Sequence, residues 1–193
     1  MPKAILFDAD GVALKKQPYF SKKIAEEYNV PYELMEPFYL NELKPCQVGK
    51  ADIKEELAKY LPKWNWTKSV DEFLQYWFTT DVHPDEQVLA LVGDQRARGI
   101  KCYLSSDQEK YRGEYIRTVA GLGAHFDGTF FSFEVGFSKS SPEYFKTVAE
   151  KIGLKPEEIQ FWDDDQGNVD VAKSVGIDAH FWTSIEDFKA VNP

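Results

Sequence analysis

The sequence holds only two cysteines and three histidines in 193 residues, and each scarcity excludes a class of protein. Cys46 and Cys102 cannot build the disulfide framework of a small secreted domain, and Cys102 falls in the apolar run 100–104, where a buried free thiol is expected. His83, His125 and His180 lie far apart, with no cysteine cluster or paired-histidine spacing beside them, so a zinc site has no basis. Long apolar runs are missing too: stretches such as 4–7 are far shorter than the ~20 residues a bilayer span needs. Positive charge is in deficit, with 23 Lys and Arg against 32 Asp and Glu for a net charge of −9, and no window forms a basic stripe. Nucleic acid is therefore not an expected partner. Met1-Pro2-Lys3 runs directly into a strand-like segment without a signal-peptide apolar region, so a cytoplasmic location without membrane association is expected.

What remains is an ordinary globular balance, 43% hydrophobic and 28% charged. Short apolar runs that end in polar or acidic residues recur at 4–7, 100–104, 130–131, 159–162 and 179–182, and each reads as a buried strand. Helical patterns lie between the later ones, at 108–120, 142–152 and 168–175, stopped by Gly121, Gly153 and Gly176. Strands alternating with single helices predict an α/β fold: a Rossmann-like parallel sheet covered by helices on both faces.

The first crossover breaks the rhythm. Some 90 residues separate the first two strands, whereas a βαβ unit takes about 30. If the helix at 84–98 is the ordinary crossover, residues 15–83 are an insertion, and 1–14 with 84–193 form the core. The insertion carries four helical segments, at 19–28, 32–43, 51–60 and 70–79. Ser69-Val70-Asp71-Glu72 opens the last with capping-box spacing. A small four-helix cap follows, with Ile24, Phe38, Leu57, Phe73 and Trp77 as its packing residues. Trp64 and Trp66 fit either that core or an exposed contact surface.

The polar residues fall just past the strands. Asp8 and Asp10 follow the first, Ser105 and Ser106 the second, Lys139 the third, and Asp163 and Asp164 the fourth. Ligands of open α/β sheets bind outside the carboxyl ends of the strands, so these groups should meet in one crevice. Clustered carboxylates repel unless a cation neutralises them, and hard oxygen donors suit Mg²⁺. A lysine and hydroxyls beside them supply donors for an anion that also meets the metal, which describes a phosphoryl site.

Four motifs in order carry a family resemblance: Phe7-Asp8-Ala9-Asp10-Gly11-Val12, Leu104-Ser105-Ser106, Lys139 through Pro142, and Asp163-Asp164-Asp165 with Asn168. Together they resemble the haloacid dehalogenase superfamily of phosphatases and phosphotransferases, in the branch with a helical cap after the first motif. Ser106 and the Lys139-Ser140-Ser141-Pro142 stretch depart from that family's commoner Asn and Lys-Pro-x-Pro. The resemblance implies Asp8 as nucleophile and Asp10 as general acid and base. It implies Mg²⁺ held by Asp8, Asp164 and the Asp10 carbonyl, with Asp163 binding directly or through water. Phosphate would be held by Ser105, Ser106 and Lys139.

The expected reaction is Mg²⁺-dependent hydrolysis of a small phosphate monoester, such as a sugar phosphate, through an aspartyl phosphate. Asp10 argues against a dehalogenase, since a halide leaves without a proton. Phosphotransferase or phosphoglucomutase-like and phosphonatase-like chemistries remain alternatives, as does a catalytically silent binding protein. Lys15, Lys16, Gln47 and Lys50 are candidate substrate contacts from the cap side. The expected partner is a small phosphorylated molecule, and the expected state a monomer or homodimer.

Overall fold

The computed structural model describes residues 2–193. Its frame is a five-stranded, wholly parallel sheet in the order β3-β2-β1-β4-β5, formed by β1 (Ala4–Phe7), β2 (Lys101–Ser106), β3 (Gly128–Phe131), β4 (Ile159–Asp163) and β5 (Asp178–Phe181). The order reverses direction beside β1, so the loops after β1, β2 and β4 open at one topological switch point. In register, Phe7 lies beside Leu104 on one side and Trp162 on the other, which brings the ends of these three strands level.

Between β1 and the crossover helix lie the inserted helices α1 (Phe20–Glu27), α2 (Leu43–Gln47), α3 (Ile53–Tyr60) and α4 (Val70–Asp81). A wider π-helical turn, Phe38–Glu42, leads into α2, just ahead of Pro45, which has no N–H to give a normal helical bond. The expected helix at 32–43 is thus two pieces, a tight turn at Tyr32–Leu34 and this longer segment. The capping box predicted at Ser69 forms with Glu72. Trp64 and Trp66 are both buried, and their ring N–H groups donate to the carbonyls of Leu34 and Ser69. They belong to the core and offer no exposed contact surface.

The rest of the chain supplies α5 (Glu86–Ala97), α6 (Lys110–Glu114), α7 (Ser132–Val135), α8 (Pro142–Ile152), α9 (Gln166–Ser174) and α10 (Ile185–Val191). Helix α6 starts two residues later than its apolar pattern suggests because Glu109 caps it, and it continues as a π-helical turn over Tyr115–Val119. Helix α9 starts two residues earlier than expected, with Asp165 accepting from the Gly167 N–H at its mouth.

Strand β1 is buried on both faces, and its alternation sorts the core. Leu6 joins Phe145, Val148, Phe161 and Val169 under α8 and α9. Ile5 and Phe7 belong to a larger apolar cluster on the other face, which runs without a break into the inserted helices through Phe38, Trp64, Phe73 and Trp77.

Candidate active site

The chain leaves β1 at Phe7 and turns sharply, with Gly11 at φ 79° in the left-handed region. A β-carbon at Gly11 would collide with the Asp164 carboxylate, so the loop after β1 and the loop after β4 touch only because residue 11 has no side chain. Asp8 and Asp163 are buried at the ends of their strands. Oxygen atoms of Asp8, Asp163 and Asp164 lie within 4.8 Å of one another.

Lys139, in the loop before α8, reaches into this acidic group. Its Nζ lies 2.6 Å from Asp8 Oδ1 and 2.6 Å from Asp163 Oδ2, and the side chain is almost wholly buried. Burial works against its charge, but the carboxylates of Asp8, Asp163 and Asp107 outweigh that and hold the ammonium protonated. Asp107 also fixes the lysine from behind, accepting from the Lys139 backbone N–H at 2.9 Å. Asp163 takes further bonds from the Asp165 N–H and the Asn168 side chain. The hydrogen bonds of Asp8, from Lys139 and from the Ala9 N–H, both fall on Oδ1. Burial pushes the Asp8 carboxyl well above the usual carboxylate range, against the pull of Lys139, and a further cation would oppose that rise.

Asp10 is held differently. Arg112, on α6, grips it through two parallel bonds, Nη1 to Oδ2 at 2.8 Å and Nη2 to Oδ1 at 2.7 Å. Gln108 donates to Oδ2 as well, at 2.7 Å, and its own oxygen accepts from Arg112 at 2.6 Å. Burial would raise the Asp10 pKa, but Arg112 and Gln108 prevail and hold it below the ordinary value. Arg112 and Gln108 were not among the sequence candidates. Neither carried a signal of its own in the sequence: Gln108 lies just ahead of the α6 cap, and Arg112 is one charged residue among several on that helix.

The serines of that motif sit deeper than expected. Ser105 is fully buried, and its hydroxyl pairs with the Tyr144 hydroxyl at 2.9 Å, which in turn donates to the Phe130 carbonyl. Ser106 Oγ accepts from Gln108. The Ser105 hydroxyl is thus engaged in the core, whereas Ser106 Oγ only accepts and keeps its own hydrogen to donate.

A cavity of about 510 Å³ opens beside Asp10 and Asp164, walled on the other side by the inserted helices. Lys15, Lys16 and Gln47 line it; Lys50 does not, because it turns to a separate cavity beside Cys46 and Phe133. Lys16 Nζ pairs with Asp164 Oδ2 at 2.9 Å although the lysine side chain is largely exposed. Phe20 and Trp77 stack in the apolar part of the wall, 5.6 Å apart.

Among the described residues no helix is long and apolar enough to cross a membrane. A family model described as hydrolase, haloacid dehalogenase-like hydrolase, matches residues 2–176. A phosphorylated carbohydrates phosphatase of Thermotoga maritima is 28% identical over 199 residues, spanning 97% of this chain and 89% of that protein. The fructose-1-phosphate phosphatase YqaB of Escherichia coli is 21% identical over 178 residues, spanning 91% and 93%. Among solved structures, the HAD family enzyme bt-2542 of Bacteroides thetaiotaomicron, crystallised with magnesium and inorganic phosphate, superposes with a TM-score of 0.84 at 22% identity over the whole of both chains. That likeness is one of fold.

Proposed function

The chain belongs to the haloacid dehalogenase-like hydrolase family, and we propose that it hydrolyses a small phosphate monoester by way of an aspartyl phosphate on Asp8. The observation that carries this reading is the buried contact of Lys139 with both Asp8 and Asp163, beside Asp164. Three acids against the buried Lys139 and the exposed Lys16 leave the group net negative, which fits a divalent metal and then an incoming anion.

Three converging carboxylates make a hard-oxygen donor set that fits Mg²⁺. Asp8, Asp164 and the Asp10 carbonyl would hold it, with Asp163 binding directly or through water. When bound, the ion neutralises phosphoryl oxygens and the nucleophile's own charge.

In the first half-reaction an Asp8 oxygen attacks phosphorus, the bond from phosphorus to the leaving oxygen breaks, and a protonated Asp10 gives that oxygen its proton. In the second, Asp10 takes a proton from water, the water oxygen bonds to phosphorus, and the bond to Asp8 breaks to release inorganic phosphate. Lys139 holds Asp8 in place and lowers its repulsion with the phosphoryl group. Ser106 would contribute through its backbone N–H, and Ser105 through its hydroxyl once that leaves Tyr144.

Residues 15–83 act as a cap in this reading, and the cavity they wall limits the leaving group to a small molecule. Lys15, Lys16 and Gln47 are the contacts on that side. The names of the two curated relatives favour a phosphorylated carbohydrate.

Phosphate release from an aryl phosphate, with and without Mg²⁺, tests the reading, followed by a panel of sugar phosphates, nucleotides and phosphonates. Mg²⁺-dependent release, lost in Asp8→Asn, supports it. Silence of the folded wild-type protein across the panel would overturn it in favour of a binding protein. Activity indifferent to chelation would overturn the metal assignment.

A further inference from the structure

Arg112 poses a problem for the proposed mechanism. Its two terminal nitrogens occupy both oxygens of Asp10, and Gln108 adds a third bond to one of them. Each oxygen keeps lone-pair capacity, but the three bonds fix the plane and direction of the carboxylate, so it cannot turn toward a leaving group. The guanidinium therefore has to yield, yet it is buried and cannot be left without a counter-charge.

The structure holds a second carboxylate for it. Asp81 ends α4, the last inserted helix, and lines the same cavity as Asp10 and Arg112. Trp77 Nε1 donates to Asp81 Oδ2 at 2.8 Å, but buried Oδ1 finds no hydrogen-bond partner among the described residues. Arg112 Nε is likewise buried and unpartnered. One orphan donor and one orphan acceptor of opposite charge thus line one cavity, and each group's charge already acts on the other. Native structures leave few such atoms unpaired, and each unpaired one needs an explanation.

We propose that Arg112 is a positioning residue shared between two carboxylates: it parks Asp10 in the resting enzyme and turns to Asp81 when a phosphoryl group occupies the site, freeing Asp10 for the leaving oxygen. The proposal rests on the phosphatase reading and names a device within it. Asp81 acts only through Arg112 and touches no reacting atom. Because it belongs to an inserted helix while Asp10 belongs to the core, the exchange links the two sides of the cavity.

Two measurements test this. The first is a double-mutant cycle in kcat and KM with 4-nitrophenyl phosphate and saturating Mg²⁺. Asp81→Asn keeps the Trp77 bond but removes the charge, so kcat should fall about tenfold or more, within the range of proton-transfer contributions, while KM changes less than about threefold. In an Arg112→Met background the same substitution should change kcat less than about twofold. Equal losses in both backgrounds would overturn the proposal, as would a loss confined to KM. The second needs no turnover: the Nε–H resonance of Arg112, assigned by its disappearance in Arg112→Lys, is followed by ¹⁵N NMR as Mg²⁺ and orthovanadate are added. A downfield shift in wild type that is absent in Asp81→Asn supports the exchange. An unmoved resonance, or the same shift in both proteins, overturns it. Wild type inactive on every phosphate ester but showing the shift would sink the phosphatase reading and keep the exchange.

Discussion

Lys139 and Asp8 form an ion pair of 2.6 Å in which each side chain is less than a tenth exposed. A second carboxylate, Asp163, closes on the same ammonium. Such a group is costly to assemble and costlier to break, because removing one partner strands the others in a dry setting.

Lys139→Met should therefore destabilise the fold by about 3–5 kcal/mol at neutral pH and reduce turnover by orders of magnitude. Part of the stability should return as pH falls, since burial already favours the protonated form of Asp8 and the loss of Lys139 raises its pKa further. Urea unfolding at pH 7 and pH 5 would show this; an equal loss at both would mean the two acids do not repel.

Gly11→Ala should lower both stability and metal affinity. The left-handed backbone costs a non-glycine residue about 1–2 kcal/mol, and the new methyl group must push the Asp164 carboxylate aside. The expected result is a lower melting temperature together with a weaker rise in that temperature on adding Mg²⁺. An unchanged Mg²⁺ response would show that Asp164 accommodates the methyl group without moving.

Lys16→Ala should do the reverse at the same carboxylate. The lysine is largely exposed, so its pair with Asp164 adds little to stability, about 0–1 kcal/mol. It nevertheless competes with a metal for Asp164, so the apparent Mg²⁺ dissociation constant should fall a fewfold by calorimetric titration. A rise would mean that Lys16 helps to hold the site open.

Glu109 gives a pH signature. It caps α6 through the N–H groups of Tyr111 and Arg112, but burial outweighs those bonds and raises its carboxyl from 4.5 to about 7. Below pH 4.5 both folded and unfolded states are protonated and the burial penalty is absent. Between 4.5 and 7 the unfolded chain ionises while the folded one keeps its proton, so this group's contribution falls as pH rises. Glu109→Gln should therefore gain on wild type across that window, by about 3 kcal/mol, and run parallel to it outside. Guanidinium unfolding at half-unit pH steps reads the difference, and a flat difference would place Glu109 in a wetter setting.

The legibility of this chain in its sequence divides along physical lines. Strand-end acids and Lys139 were readable because topology alone sends the carboxyl ends of parallel strands to one crevice, and the inserted helices because 90 residues exceed what a crossover needs. Arg112 was not, since a charged residue on a helix looks solvated until the tertiary fold sets it against a partner 102 positions away, nor was Gln108, a neutral loop residue whose partner lies 98 positions away. The burial of Ser105 against Tyr144 was hidden for the same reason: a strand residue's face is known from alternation, but not which hydroxyl waits on that face. Lys50 lies only three residues from Gln47, yet the turn at Gly49, with φ 72°, sends the chain toward another cavity.

The apolar cluster that passes from Phe7 through Phe38 to Trp64 and Trp77 bears on how such a protein could be rebuilt. Its inserted helices share one face of the sheet as their foundation, so they are not an accessory that can be unclipped. Exchanging residues 15–83 for another helical insertion would replace half of a common interior, and the graft would have to match that interior in shape before it could alter what enters the cavity.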